Sequence, residues 1–211
     1  NSYQAIGSFN KMQNERPKRD LVGGDKLFRN DNGKFIDVSE EAGIYGSIIG
    51  FGLGITIGDV NQDSWPDIFI SNDFFEKDYL YINNQDGTFT ESLETAMRSI
   101  SAASMGADIA DINGDGLLDI FVTDMLPEHQ QRLKQITTFE NWDKFKFNKT
   151  HGYHYQYSRN MLHINNGDGT FSEMGRLANL EATDWSWGAL IFDMDNDGKR
   201  DLFVANGIYQ D

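Results

Sequence analysis

One nine-residue pattern, D-x-[ND]-x-D-x-x-x-D, occurs three times in the 211 residues, at 59–67, 111–119 and 193–201. Clustered carboxylates repel one another unless a cation sits among them. Each copy runs directly into an apolar segment, "DIFI", "DIFV" and "DLFV". The chain must therefore fold as a repeat in which a charged turn feeds a strand, and repeats are read before anything else. A second motif travels with the first: "LFRNDNGKF" from Leu27, "LYINNQDGTF" from Leu80 and "LHINNGDGTF" from Leu162. Gly54, Gly106 and Gly188 each stand five residues ahead of the first loop aspartate.

The first two loops begin 52 residues apart and the second and third 82 apart, which places an insertion at 124–160. The sequence divides into units 27–79, 80–161 and 162–211, with 1–26 leading in from a preceding unit. The opening "NSYQAIG" resembles "NGIYQD" after the last apolar run, so strands of further units are expected at both ends. Asn32-Gly33, Asp86-Gly87 and Asp168-Gly169 lie between apolar runs, the strongest short hairpin signal. Runs such as "ITIG", "LYIN" and "TFTE" are too short for helices. A unit of this size with three or four short strands is the size of a propeller blade. The fold expected is all-β: three consecutive blades of an incomplete propeller, since a ring needs about four to eight.

The loop donors are oxygens throughout, which suits a hard cation with six to eight ligands, namely calcium. The expected ligands are Asp59, Asn61, Asp63, Asp67 and the Trp65 carbonyl; Asp111, Asn113, Asp115, Asp119 and the Leu117 carbonyl; and Asp193, Asp195, Asp197, Asp201 and the Lys199 carbonyl. Gly116 and Gly198 allow a sharp turn at position 6. Ser64 stands there in the first loop, followed by Pro66, so that site is expected to be the weakest. An EF-hand is excluded: position 12 is Ile70, Val122 or Val204, where a bidentate glutamate is required. Ten of the 33 acidic residues lie in the loops, and three Ca²⁺ would bring the net charge from −15 to −9. Calcium is expected to be structural.

A net charge of −15 disfavours nucleic acid as a partner. With no cysteine, disulfides, thiolate metal sites and a cysteine nucleophile are unavailable. No apolar run reaches membrane-spanning length. No phosphate-binding loop, nucleophile elbow or dinucleotide motif is present.

The acidic loops, with "FGLG" at Phe51, "MGA" at Met105 and "WGA" at Trp187, resemble FG-GAP/VCBS-type repeats, the calcium-loop propellers of integrin α-subunits and bacterial surface proteins. "DMLPEHQQRLK" and "DWSWGALIFDMDNDG" look most like large Bacteroidota surface proteins related to cartilage acidic protein. The resemblance implies a seven-bladed propeller, a secreted or outer-membrane location, remaining blades in a longer parent chain, and a binding or adhesion role.

The insertion is foreign in composition. Residues 128–160 carry six Lys/Arg against three acids, three of the four histidines, and seven aromatics. Long loops on a rigid scaffold often carry function, so Trp142, Phe145, Tyr153, Tyr155, Arg132 and Lys146 are candidate contacts to a protein or glycan. Alternatively, the aromatics pack the insertion onto a neighbouring blade, with "YHYQYSR" as an alternating strand. His151 and His154 lack a third metal ligand at telling spacing. Asp184 beside Trp185 and Trp187 could serve a sugar cleft, or lie in the strand before the third loop. Asn148 opens a glycosylation sequon. Two functions follow: a non-enzymatic, calcium-stiffened surface module that binds protein or glycan, or the propeller part of a polysaccharide lyase.

Overall fold

The computed structural model describes residues 19–136 and 142–207. The expected lead-in from a preceding unit lies largely outside them. In chain order, β1 (Phe28–Asp31) and β2 (Lys34–Asp37) form a hairpin. β3 (Gly52–Gly58), β4 (Asp67–Asn72), β5 (Tyr79–Asn83) and β6 (Phe89–Glu91) form a four-stranded antiparallel sheet. Helix α1 (Leu93–Ala96) and β7 (Ile100–Ser101) lead to β8 (Gly106–Ala110) and β9 (Asp119–Thr123). The insertion holds β10 (Met125–Leu126), α2 (Gln130–Ile136), α3 (Trp142–Thr150) and β11 (Gln156–Tyr157). β12 (Met161–Asn165) and β13 (Phe171–Glu173) then complete a second sheet in the order β8, β9, β12, β13. β14 (Asp184–Phe192) and β15 (Asp201–Asn206) form a last pair.

The protein is all-β, built from successive antiparallel sheets. Two four-stranded sheets are flanked by an outer pair, β1–β2, and an inner pair, β14–β15. The repeat as cut from the sequence is out of phase with the sheets: each sheet takes β3–β4 or β8–β9 from one unit and its outer pair from the next. Antiparallel pairing joins the two parts, with Phe69 opposite Leu80 and Phe121 opposite Leu162.

The central strands are apolar on both faces because sheets lie on both sides of them. Phe69 and Leu80 of the first sheet share a core with Ile120, Val122, Met161 and Phe171 of the second. Phe121 and Leu162 of the second share one with Ile191 and Leu202 of the last pair. Residues 27–45 pack Ala42 and Ile44 on Ile70, Tyr79 and Tyr81, on the first sheet's other face. Along a strand, alternate side chains therefore serve successive interfaces.

The repeating glycines meet where the innermost strands converge. A Cβ on Gly54 would lie 3.1 Å from Gly106 Cα, and one on Gly106 would lie 2.6 Å from the Trp187 carbonyl. Thr123 closes this junction, its hydroxyl 2.7 Å from that same carbonyl. Asn32-Gly33 makes the expected two-residue turn, with φ of 54° and 89°. The Asp-Gly pairs do not. Asn83 faces Phe89 and Asn165 faces Phe171, so each turn is a longer loop closed by Asn84 N–H on Thr88 O or Asn166 N–H on Thr170 O, both 2.9 Å. Each loop aspartate holds the threonine N–H and hydroxyl, which stiffens the wider turn.

Candidate metal centre

The three acidic loops share one internal wiring. The first aspartate accepts the position-5 N–H on one oxygen and the position-6 N–H on the other: Asp59 from Asp63 (3.0 Å) and Ser64 (2.8 Å), Asp111 from Asp115 (3.1 Å) and Gly116 (2.9 Å), Asp193 from Asp197 (3.1 Å) and Gly198 (2.9 Å). The position-5 carboxylate accepts the position-7 N–H at 2.8 Å in every copy. This wraps the backbone around the side chains. Two positions must be left-handed. Position 6 has φ of 72°, 89° and 85° at Ser64, Gly116 and Gly198. Position 4 has 61°, 77° and 60° at Gln62, Gly114 and Asn196, a requirement the D-x-[ND]-x-D spacing does not mark.

The position-9 aspartates do more than line a loop. Asp67 Oδ2 accepts the Val60 N–H at 3.0 Å, while Oδ1 accepts the Asn83 N–H at 2.8 Å. Asp119 repeats this with Ile112 (3.0 Å) and Asn165 (2.8 Å). The last carboxylate of the loop thus clasps the asparagine of L-x-x-N, which explains why the two motifs travel together. Burial pushes the Asp67 and Asp119 carboxyls above their ordinary range; the N–H donors oppose this and the loops' other carboxylates reinforce it. In the first loop the Trp65 N–H holds the Asp63 carboxyl below it.

The donor set fits a hard cation best in the third loop. There one carboxylate oxygen from each of Asp193, Asp195 and Asp197 lies within 4.8 Å of the other two, a convergence of charge that a divalent ion would relieve. In the other two loops an asparagine amide partly substitutes, with Asn61 Nδ2 3.1 Å from Asp63 and Asn113 Nδ2 2.8 Å from Asp115. Adjacent loops touch, Gln62 donating to the Gly116 carbonyl at 2.8 Å. All three lie at one end of the strands. The connection 73–78 and the described parts of 124–160 lie at the other.

The insertion is a strap across that other end. β10 pairs with β14, β11 runs parallel to β7, His154 Nε2 lies 2.8 Å from the Met97 carbonyl, and Gln156 donates to the Phe75 carbonyl at 3.1 Å. The expected alternating strand at "YHYQYSR" shrinks to the two residues of β11. Tyr153 is fully buried, which removes it from any partner surface. Arg132 is held by Asp184, Nε to Oδ2 2.7 Å, so the carboxylate considered for a sugar cleft is an anchor for the strap. Asn148 is also buried, and its sequon offers no accessible amide. Trp142 remains exposed, stacked on Phe145 at 5.5 Å, with Lys146 exposed nearby and Lys149 4.7 Å over the Tyr155 ring.

Two buried carboxyls lie at the same end. Asp78 accepts the Asn72 N–H and the Ser104 hydroxyl, both at 2.8 Å. In the second sheet the roles are exchanged: Asn160 accepts the Asp124 N–H at 2.7 Å, and Asp124 accepts the Ser101 hydroxyl at 2.6 Å. Burial pushes Asp78 up to about 7 and Asp124 up to about 6.

The sequence matches the FG-GAP-like repeat family over residues 59–122 and 138–204, more than half of the chain. The chain belongs to the FG-GAP-like repeat family. It is also 27% identical over 119 residues to integrin alpha-3 of Mus musculus, a match covering 50% of this chain and 11% of the mouse protein. The family is one of propeller-type repeats, in agreement with the stacked antiparallel sheets. No helix among the described residues is long and apolar enough to cross a membrane, which says nothing of strand-built membrane proteins.

Proposed function

We propose that this FG-GAP repeat chain is a calcium-stiffened, non-enzymatic adhesion-type module at the cell surface or in the outer membrane, with further blades of the same repeat completing its ring. The observation that carries this reading is the shared wiring of the three acidic loops, in which the first aspartate and the position-5 aspartate accept the same backbone N–H groups in every copy. Calcium would be held by Asp59, Asn61, Asp63, Trp65 O and Asp67, by the equivalent set from Asp111 to Asp119, and by that from Asp193 to Asp201. Bound there, it would neutralise repulsion where two inner strands turn, so its role is structural. The third site is the strongest because three carboxylates converge. The first is the weakest because Gln62 and Ser64 must both take left-handed backbone.

The partner is a protein or glycan, met at the exposed part of the strap around Trp142, Phe145, Tyr155 and Lys146. This end of the strands faces away from the acidic loops, so the two roles do not compete. Thermal unfolding in EGTA, in millimolar Mg²⁺ and across a Ca²⁺ titration tests the metal. A Ca²⁺-specific rise in Tm is expected, with a midpoint of about 10⁻⁴ to 10⁻³ M as for extracellular modules, reduced most by Asp193→Ala. An unchanged melt in a protein shown metal-free by elemental analysis would sink the proposal.

A further inference from the structure

The strap leaves one face of α3 turned outward. Trp142, Phe145, Lys146 and Lys149 stand at i, i+3, i+4 and i+7 of the helix, on one side of it. Asn148 lies off that side and is buried. The Trp142 ring stacks on Phe145 at 5.5 Å and 26°, which backs one indole face, yet the residue is 69% exposed. Phe145 in turn lies 6.3 Å from Tyr155, and Lys149 Nζ sits 4.7 Å over the Tyr155 ring. These side chains make a short aromatic ribbon edged by the exposed ammonium groups of Lys146 and Lys149.

A partner for this ribbon has to offer negative charge and a flat apolar face. Peptides are recognised at a sheet edge, in a groove or by clustered arginines. The ribbon is the convex side of one helix, β11 beside it is two residues long, and its cations are lysines. Each lysine is a separate point charge with no guanidinium fork beside it, which suits single carboxylates spaced along a chain. A sugar ring needs no concavity: its apolar C–H face lies flat on an aromatic ring and leaves water.

Building on the strap as the partner surface, we propose that this ribbon binds a polyuronate, with one sugar ring flat on Trp142 and neighbouring carboxylates on Lys146 and Lys149. The charge of the whole molecule favours this end. The chain carries −15 and its acidic loops lie at the opposite end, so the strap is where a polyanion meets cations. Exposed ammonium–carboxylate pairs contribute little singly and are screened by salt. Affinity therefore comes from repetition along the polymer and falls as salt rises.

Affinity electrophoresis of the 211-residue chain, at one fixed low Ca²⁺ concentration, tests the assignment in gels holding polygalacturonate, dextran, dextran sulfate or polyglutamate. Polygalacturonate should retard the protein most strongly, and dextran should not retard it. Trp142→Ala should weaken the retardation at least about tenfold, with an unchanged far-UV spectrum. Lys146→Glu with Lys149→Glu should abolish it, whereas Lys34→Glu, an exposed lysine away from the strap, should bind as the parent does. No retardation by polygalacturonate, or an equal loss in Lys34→Glu, overturns the proposal. Equal or stronger retardation by dextran, dextran sulfate or polyglutamate also overturns it, but leaves the strap as the partner surface if Trp142→Ala removes that binding. Binding indifferent to Trp142 and to both lysines counts against the strap itself.

Discussion

Phe69, Phe121 and Phe203 occupy one position in three copies of the same strand, yet the first two are sealed and the third faces outward. The sequence around them is nearly the same, "DIFI", "DIFV" and "DLFV". What differs is the next sheet. Phe69 and Phe121 each have one packed over them, and among the described residues Phe203 does not. Burial at this position belongs to the neighbour, while the tendency to be a strand belongs to the motif.

The largest test of that contrast is truncation. Phe69→Ala should cost about 3–5 kcal/mol as a core deletion, and Phe203→Ala under about 1 kcal/mol as an exposed one, both read by urea unfolding. A costly Phe203→Ala there would mean that its face is covered within one chain. Next is the clasp. In EGTA, Asp119→Ala should cost about 2–4 kcal/mol, because two buried N–H groups lose their acceptor. Asp201→Ala should cost about 1 kcal/mol, with one fewer donor to strand. Equal losses would mean that the clasp contributes little.

The exchanged Asn–Asp pair makes a smaller prediction. Asp78 has its pKa raised on folding, to about 7, so the stability associated with its neutral form is complete below an unfolded pKa of about 4. That stability is lost as pH rises through about 7. Asp78→Asn copies the Asn160 arrangement and should leave stability at pH 4 unchanged, while raising it at pH 8 by on the order of 1 kcal/mol. Parallel pH profiles for the two proteins would show that burial is not what raises the group. The smallest effect concerns the loops. Ser64→Gly should stabilise by about 1 kcal/mol by relieving a left-handed residue, and Gly116→Ser should cost about the same. Chemical denaturation in EGTA separates this from metal affinity.

Much of the fold could be read from spacing alone. Asn32-Gly33 made its two-residue turn, and the glycines five residues before each loop proved to be where the inner strands touch. The Asp-Gly loops misled, because the same dipeptide serves a wider turn when a following threonine can be held by the aspartate. The insertion misled more. Its cations and aromatics looked like a contact surface, and Tyr153 and Arg132 turned out to secure a strap. Composition cannot separate an aromatic that packs from one that waits for a partner, since both need the same side chain.

The sequence by itself determined the repeat, the charged turns, the strands that follow them and the family, because these depend on local chemistry at fixed spacing. Only the tertiary structure decided the phase of the sheets, the clasp between position 9 and the next asparagine, and which equivalent residues are covered. Those depend on contacts between segments separated by an insertion of arbitrary length, and on neighbours that no single strand specifies.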